Sequence, residues 1–171
     1  MITDLIIPDA LVKDLGLIAE VKNGSWGDSL KVDIQPRDLF VVACWTGLRF
    51  GDWKDLSGAN IINDTMIVHT HKTNTTVVIP LHPMVKAIIT KYGGVLPKSV
   101  DKSKTLKHIR KCAEWAGISE SVSLSRVKGG QTETKNGEKH QFLMNHTARR
   151  SFATNMYLRG VPSISIMAIT G

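Results

Sequence analysis

The stretch from Pro36 to Gly47 constrains the fold more than any other part of the chain. Between a proline suited to a first helical turn and a glycine suited to a helix stop lies Leu39-Phe40-Val41-Val42-Ala43-Cys44-Trp45, apolar on nearly every side. A surface helix has one apolar stripe, whereas a helix that is apolar all round must be covered from all directions. The pattern therefore predicts a central buried helix, with Asp38 in its first turn, around which the other elements pack. Its exit, Thr46-Gly47-Leu48-Arg49-Phe50-Gly51-Asp52-Trp53, reverses the chain sharply. Asp52 is placed to cap the next short helix, and Trp53 and Leu56 give that helix an apolar side. Arg49 sits inside the turn, either as a surface residue paired with Asp52 or as a cation presented to a ligand, with glycines on both sides that let the backbone come close.

Three β-branched runs follow, Ala59–Ile62, Met66–His71 and Thr76–Pro80, separated by Asn63-Asp64 and Thr73-Asn74-Thr75. They predict a three-stranded antiparallel meander with Lys72 at the tip of its second hairpin. Helical spacing resumes with His82-Pro83 opening Met84–Tyr92, and again over Asp101–Ala116, where Leu106, Ile109, Ala113 and Ala116 share one side. Lys102, Lys104, Lys107, Arg110 and Lys111 crowd the other surface of that second helix, a face that either lies along a phosphate backbone or is simply solvated. From Val122 to Gln141 the chain is polar, with turn signals at Lys128-Gly129-Gly130 and Asn136-Gly137. It predicts a projecting basic hairpin or flexible loop whose Arg126 and Lys128 join the candidate DNA-binding cations. After a helix to about Arg159, Gly160 and Pro162 mark a stop and a restart, and Ser163–Ala168 reads as a short apolar helix carrying Ile164, Ile166 and Met167. The expected class is α+β, mainly α-helical, with a small three-stranded antiparallel sheet and an extra hairpin.

Residues 1–34 are weakly patterned, broken by Pro8 and by Asn23-Gly24-Ser25-Trp26-Gly27-Asp28, with a short helix expected near Leu11–Val21. They read as a lead-in segment to one domain over residues 35–171, since 171 residues that are 42% hydrophobic fill a single core. No apolar run is long enough to span a bilayer, and Met1-Ile2-Thr3-Asp4 does not begin a signal peptide, so a soluble, cytoplasmic chain is expected. Cys44 and Cys112 have neither metal-ligand spacing nor a disulfide framework and are expected to be inert.

The net charge of +7 becomes informative once mapped. Residues 98–150 hold twelve Lys/Arg against five Asp/Glu, which accounts for all of it; the rest of the chain holds ten of each. This basic third favours a nucleic-acid partner, and it ends on Asn145-His146-Thr147-Ala148-Arg149-Arg150. Asn145 is a natural N-cap, which would set His146 and Arg149 beside the free N–H groups of a first helical turn. Arg149 falls in the arc of Phe152, Ala153 and Met156, and His146 lies about 60° away on the same side. An inward-leaning guanidinium needs a partner, either a carboxylate or a ligand phosphate.

The ordered set Thr-Gly-Leu-Arg at Arg49, His-Lys-Thr at Lys72 on a hairpin, and His-Thr-Ala-Arg-Arg-Ser-Phe-Ala-Thr-Asn from His146 resembles the catalytic domain of tyrosine recombinases, the phage-integrase family. The resemblance runs from about Pro36 to Gly171 and is greatest to integrases of Bacteroides-type mobile elements. It implies site-specific cleavage and rejoining of double-stranded DNA through a 3′-phosphotyrosyl link, without metal, ATP or other cofactor. It also implies catalytic roles for Arg49 and Arg149 on the nonbridging oxygens, for Lys72 as general acid, and for His146 as proton acceptor or phosphate ligand, with Asp52 supporting. After a glycine like Gly171 the family has a His or Trp and, some ten residues on, the nucleophilic tyrosine. This chain ends before both, so it is expected to lack a nucleophile and not to cleave DNA by itself. Tyr157, about 12 Å along the helix from Arg149 and about 80° round it, and Tyr92 are expected to be packing residues. The family acts as a tetramer on DNA, and a monomer is expected for this chain. Two alternatives are a type IB topoisomerase-like enzyme and a non-catalytic DNA-binding module that holds a phosphate in the arginine pocket.

Overall fold

The computed structural model describes residues 6–12, 35–57, 59–98 and 101–170. The all-round apolar stretch forms α1 (Gln35–Thr46), in which every residue from Pro36 onward is buried. A reversal at Gly47 leads into the short α2 (Phe50–Trp53). Strands β1 (Asn60–Ile62), β2 (Thr65–His69) and β3 (Thr76–Pro80) form the expected meander in the order β1-β2-β3. Helices α3 (Pro83–Lys91) and α4 (Lys102–Trp115), the two-stranded ribbon β4 (Ser121–Lys128) and β5 (Gln131–Glu138), a 3₁₀ turn (Lys139–Phe142), α5 (Thr147–Leu158) and α6 (Ser163–Thr170) complete the order. Residues 9–12 are helical; the remainder of the helix expected over Leu11–Val21 lies outside the described residues.

Helix α1 is the axis, packed by α5, α4, α3 and α2. The sheet covers the core with one face. Met66 pairs with Ile79 and Val68 with Val77, and all four are buried, while Val78 on the intervening register is exposed. Asn63 and Asp64, both at positive φ (47° and 62°), close the first hairpin, the backbone signature of the two-residue turns whose twist matches that of the strands. The same chemistry closes the ribbon at Gly129 and Gly130. Asn136-Gly137, expected as a second turn there, is instead paired strand, opposite Ser123 and Val122, because the glycine pair at the tip sets a register that carries β5 straight past it.

Two buried polar contacts fix what surrounds α1. Asp38 accepts from Arg37 (2.8 Å), Lys91 (3.0 Å) and the Tyr92 hydroxyl (2.6 Å), which ties the start of α1 to the end of α3. Ile7 donates its N–H to Ser151 Oγ (3.0 Å) and accepts from Asn155 Nδ2 (2.9 Å), so the first described segment is strapped along α5 with Ile7 and Val12 in the core.

Helices α1 and α5 cross where the chain leaves α1, and the crossing admits almost no space between them. Gly47 has φ +67°, and a Cβ built there would lie 2.4 Å from Phe152 Cδ1, so the close approach of the α1 exit to α5 requires glycine twice over. Gly47→Ala is expected to destabilise the domain by about 2–4 kcal/mol through left-handed strain and the Phe152 clash, read as a lower denaturation midpoint in urea with an unchanged m-value.

Candidate DNA-phosphate site

Helix α5 begins one residue later than its sequence signal. His146, with φ −78° and ψ −13°, holds the N-cap position without a capping side-chain bond. Asn145, expected to cap, is buried, and neither of its side-chain polar atoms has a hydrogen-bond partner among the described residues. The entry is held instead by Thr147, whose N–H donates to Met144 O (2.8 Å) and whose Oγ1 accepts from Met144 N–H (3.0 Å). Thr147 thus fixes the entry into α5 through Met144, in place of the side-chain cap expected from Asn145.

Arg149 is buried on the core side of α5, as its helical phase predicts. Among the described residues its guanidinium is bonded to a backbone carbonyl rather than to a carboxylate: Nη1 donates to Gly47 O at 2.9 Å. One arm of the fork is anchored on the α1 exit, and the guanidinium has further donors. Burial, with Arg49 next, pushes the Arg149 group down to about 10, partly opposed by Asp52, so it is still charged at neutral pH.

Arg49 follows Gly47 by two residues, half-buried, with extended backbone ahead of α2. Asp52 does not cap that helix. It lies inside α2, where Arg49 O already accepts from the N–H groups of both Asp52 and Trp53, and its own carboxylate accepts the His71 N–H at 2.8 Å. That bond joins the Arg49 turn to the β2–β3 tip one residue before Lys72. The tip is further braced by hydroxyls: Thr70 Oγ1 lies 2.8 Å from Thr73 Oγ1 and donates to Thr75 O (3.0 Å). Lys72 itself is exposed.

These parts converge on His146. Its pKa is lowered, first by burial and then by Arg150, Arg149, Arg49 and Lys72 in that order, so the imidazole is neutral near pH 7. The structure therefore brings Arg49, Lys72 and Arg149 within electrostatic reach of His146, and Arg49 and Asp52 within reach of Arg149. Arg150, an exposed residue not among the expected site residues, is the foremost charge acting on His146. Its adjacency in the hexapeptide was the available signal. Such a cluster can hold an anion with several positive groups around it, and a neutral imidazole among them can take up a proton. Among the described residues no group of three or more His, Cys, Asp and Glu is placed to hold a metal ion, and no helix is long and apolar enough to cross a membrane.

The other candidate cations do not act on His146. Lys102, Lys104 and Lys107 are exposed along α4. Lys111 pairs with Glu114 (3.0 Å) and lies over the Trp115 ring. Arg110 Nε donates to Leu143 O (3.0 Å), which ties α4 to the segment entering the site. Arg126 and Lys128 take register positions on β4, and their side chains lie outside the described part. Of the two tyrosines, Tyr92 is held by Asp38, whereas Tyr157, expected to pack, is 64% exposed because its turn of α5 has run past the core.

No family model matches the chain. In sequence, 169 residues align with tyrosine recombinase XerC of Rickettsia typhi at 27% identity, covering 97% of this chain and 52% of that protein. The protein of the same name from Rickettsia prowazekii is 24% identical with the same coverage, so the chain spans about half the length of the curated relatives it matches. In structure, the chain is similar to a XerH site-specific recombinase bound to a palindromic difH substrate in a post-cleavage complex, with TM-score 0.62 and 16% identity over 97% of this chain and 46% of that one. It is also similar to the lambda integrase catalytic core, with TM-score 0.55 and 15% identity over 97% and 90%.

The electrostatics yield a direct test. His146 is expected to titrate below the ordinary 6.5 in histidine ring NMR, and Arg150→Ala is expected to move it upward by removing the foremost charge. Adding inorganic phosphate should also raise it, since an anion in the cluster offsets the cations that disfavour imidazolium. A titration unmoved by both changes would separate His146 from the cluster.

Proposed function

We propose that this chain, a tyrosine recombinase catalytic-domain fold, is the phosphodiester-holding core of an enzyme that cuts and rejoins double-stranded DNA at specific sites through a 3′-phosphotyrosyl link, with residues 35–171 as its catalytic domain. The observation that carries the reading is the convergence of four cationic side chains on one histidine from three separate parts of the fold: the α1 exit, the β2–β3 tip and the start of α5. The order and element types match the family's set, and the Rickettsia and XerH proteins carry the same kind of activity in their names.

Each role follows from its chemistry. In-line attack on a phosphodiester builds charge on the nonbridging oxygens, and two guanidiniums anchored on a rigid backbone stabilise it without reorganising. Arg49 and Arg149 fill that role, the latter already fixed by Gly47 O. The leaving 5′-oxygen needs a proton, which Lys72 supplies from a hairpin tip held by the Asp52–His71 bond. Neutral His146 accepts the proton of the attacking hydroxyl or donates to the phosphate. Asp52 is a positioning residue.

The attacking hydroxyl is not furnished by residues 1–171. Tyr92 is committed to the buried Asp38, and Tyr157 is exposed at the far end of α5. The chain alone therefore binds duplex DNA without cutting it, the property it shares with a non-catalytic phosphate-binding module. Incubation with a nicked duplex that traps phosphotyrosyl intermediates should give no covalent adduct. Fluorescence anisotropy with a linear duplex should show salt-sensitive binding, and Arg49→Ala/Arg149→Ala should weaken it by about 10- to 100-fold, the loss of two charge-assisted contacts. An adduct mapped to Tyr92 or Tyr157 would refute the assignment of the nucleophile. Binding indifferent to both arginines would refute the site.

A further inference from the structure

The β4–β5 ribbon has no part in the phosphate site, yet its two faces are unlike. The register places Ser121, Ser123, Ser125 and Val127 on one face with Thr132, Thr134, Asn136 and Glu138, and Ser125 Oγ lies 2.9 Å from Thr134 Oγ1 across the strands. Every residue of that face is exposed, and its one charge, Glu138, is at the base. The other face carries Arg126, Lys128, Glu133 and Lys135 toward the tip, while Val122, Leu124 and Gly137 near its base are half-buried. An ordinary solvated ribbon intersperses charges on its exposed side. Here the other charged register positions fall on the side whose base is half-buried, and the outward face offers hydroxyls, an amide, one apolar side chain and, at its base, the carboxylate of Glu138.

The ribbon is also firmly mounted. A Cβ at Gly137 would lie 2.6 Å from Gln141 Oε1 and 3.0 Å from Phe142 Cε2, so the base of β5 is pressed onto the 3₁₀ turn. Lys139 N–H donates to Glu120 O (2.8 Å) and Lys139 Nζ lies 2.6 Å from Glu120 Oε2, which locks the two strand ends together. At this base is an open cleft of about 420 Å³ lined by Ser121, Val122, Ser123, Asn136, Gly137, Glu138 and Gln141, residues of both faces and of the 3₁₀ turn. The chain runs from Glu138 to His146 in eight residues.

We propose that the outward face of the β4–β5 ribbon is a second DNA-contacting surface, seated in the major groove of the same duplex whose backbone phosphate lies among Arg49, His146 and Arg149. The proposal rests on the phosphodiester reading of that site and names how the flanking duplex is held. Eight residues per strand make a ribbon about 27 Å long, and a two-stranded ribbon fits the roughly 12 Å major groove. Base edges there present donors, acceptors and the thymine methyl. Ser123, Ser125, Thr132 and Thr134 match either donors or acceptors, Asn136 suits adenine, and Val127 suits the methyl. The occupant is set by charge: the ribbon lies within the part of the chain where twelve Lys/Arg face five Asp/Glu, although its own basic register positions, 126, 128 and 135, belong to the opposite face. A peptide strand added along a ribbon edge would leave that face unused.

The test uses the whole chain and a linear duplex of mixed sequence. Ser125→Glu/Thr134→Glu puts two carboxylates on the face, and Ser163→Glu/Ser165→Glu adds the same charge on exposed positions of α6. The ribbon variant should bind at least about tenfold more weakly than the α6 variant, with an unchanged circular dichroism spectrum. Wild type should protect guanine N7, a major-groove atom, from dimethyl sulfate, and the ribbon variant should lose that protection. Equal affinity of the two variants, or no N7 protection by wild type, overturns the ribbon proposal while binding that still depends on Arg49 and Arg149 leaves the site intact. Absence of duplex binding by wild type overturns both.

Discussion

The hydrogen bond from Arg149 Nη1 to Gly47 O joins α5 to the exit of α1, the two parts on which the site depends. It spans 102 residues of sequence and forms where α5 crosses the exit of α1. A buried guanidinium without a partner would cost several kcal/mol. The carbonyl meets part of that cost and leaves the charge uncancelled. A carboxylate in the same place would have neutralised the group and removed its use for an anion. The bond needs the backbone of residue 47 to reach α5, which the Phe152 ring allows only for a residue without a side chain. The geometry of the site is thereby built into the packing of the core rather than into a surface loop.

The same logic extends to the other cations. Arg49 leaves the turn that Gly47 begins, and its neighbour Asp52 spends its carboxylate on the His71 N–H rather than closing an ion pair with Arg49 among the described residues. One acidic group thus orders the hairpin tip while opposing the cationic field only in part. Burial first, and this field after it, push the His146 pKa down. Like charges are gathered at an energetic cost, and an anion arriving among them relieves it. The free energy of that relief is available for binding an anion.

What could be read from the residues alone was whatever local pattern decides. The all-round apolar run gave α1 to within a residue, alternation with turn residues gave the meander and placed Lys72 at a tip, and helical phase turned Arg149 inward. Capping was misread twice, at Asn145 and at Asp52, for one reason. A short polar side chain at a helix start has several acceptable partners, and tertiary contacts choose among them: Thr147 took the entry of α5, and the β2–β3 tip claimed Asp52. The Asn136-Gly137 turn failed because a competing glycine pair closed the ribbon first. The hydroxyl brace of Thr70, Thr73 and Thr75 has no periodicity to betray it, since it depends on distances that only the folded chain sets, whereas Arg150 stood beside Arg149 in the hexapeptide and was legible by adjacency alone.

The segment entering α5 gathers these contacts into one path. Leu143 is fully buried and its carbonyl is held by Arg110 of α4; Met144 is bonded twice to Thr147; Asn145 is buried with two polar atoms unpartnered among the described residues. Buried amides are ordinarily satisfied, so this one is a point where the entry stores unmet hydrogen-bonding capacity one residue from His146. Upstream, the 3₁₀ turn meets the base of the ribbon closely at Gly137, where a Cβ would press on Gln141 and the Phe142 ring. Between Gly137 and His146 these contacts hold the segment at its start, at Leu143 and at its entry into α5. The segment that carries His146 is thereby held by α4 at Leu143 and by the mounting of the ribbon at Lys139.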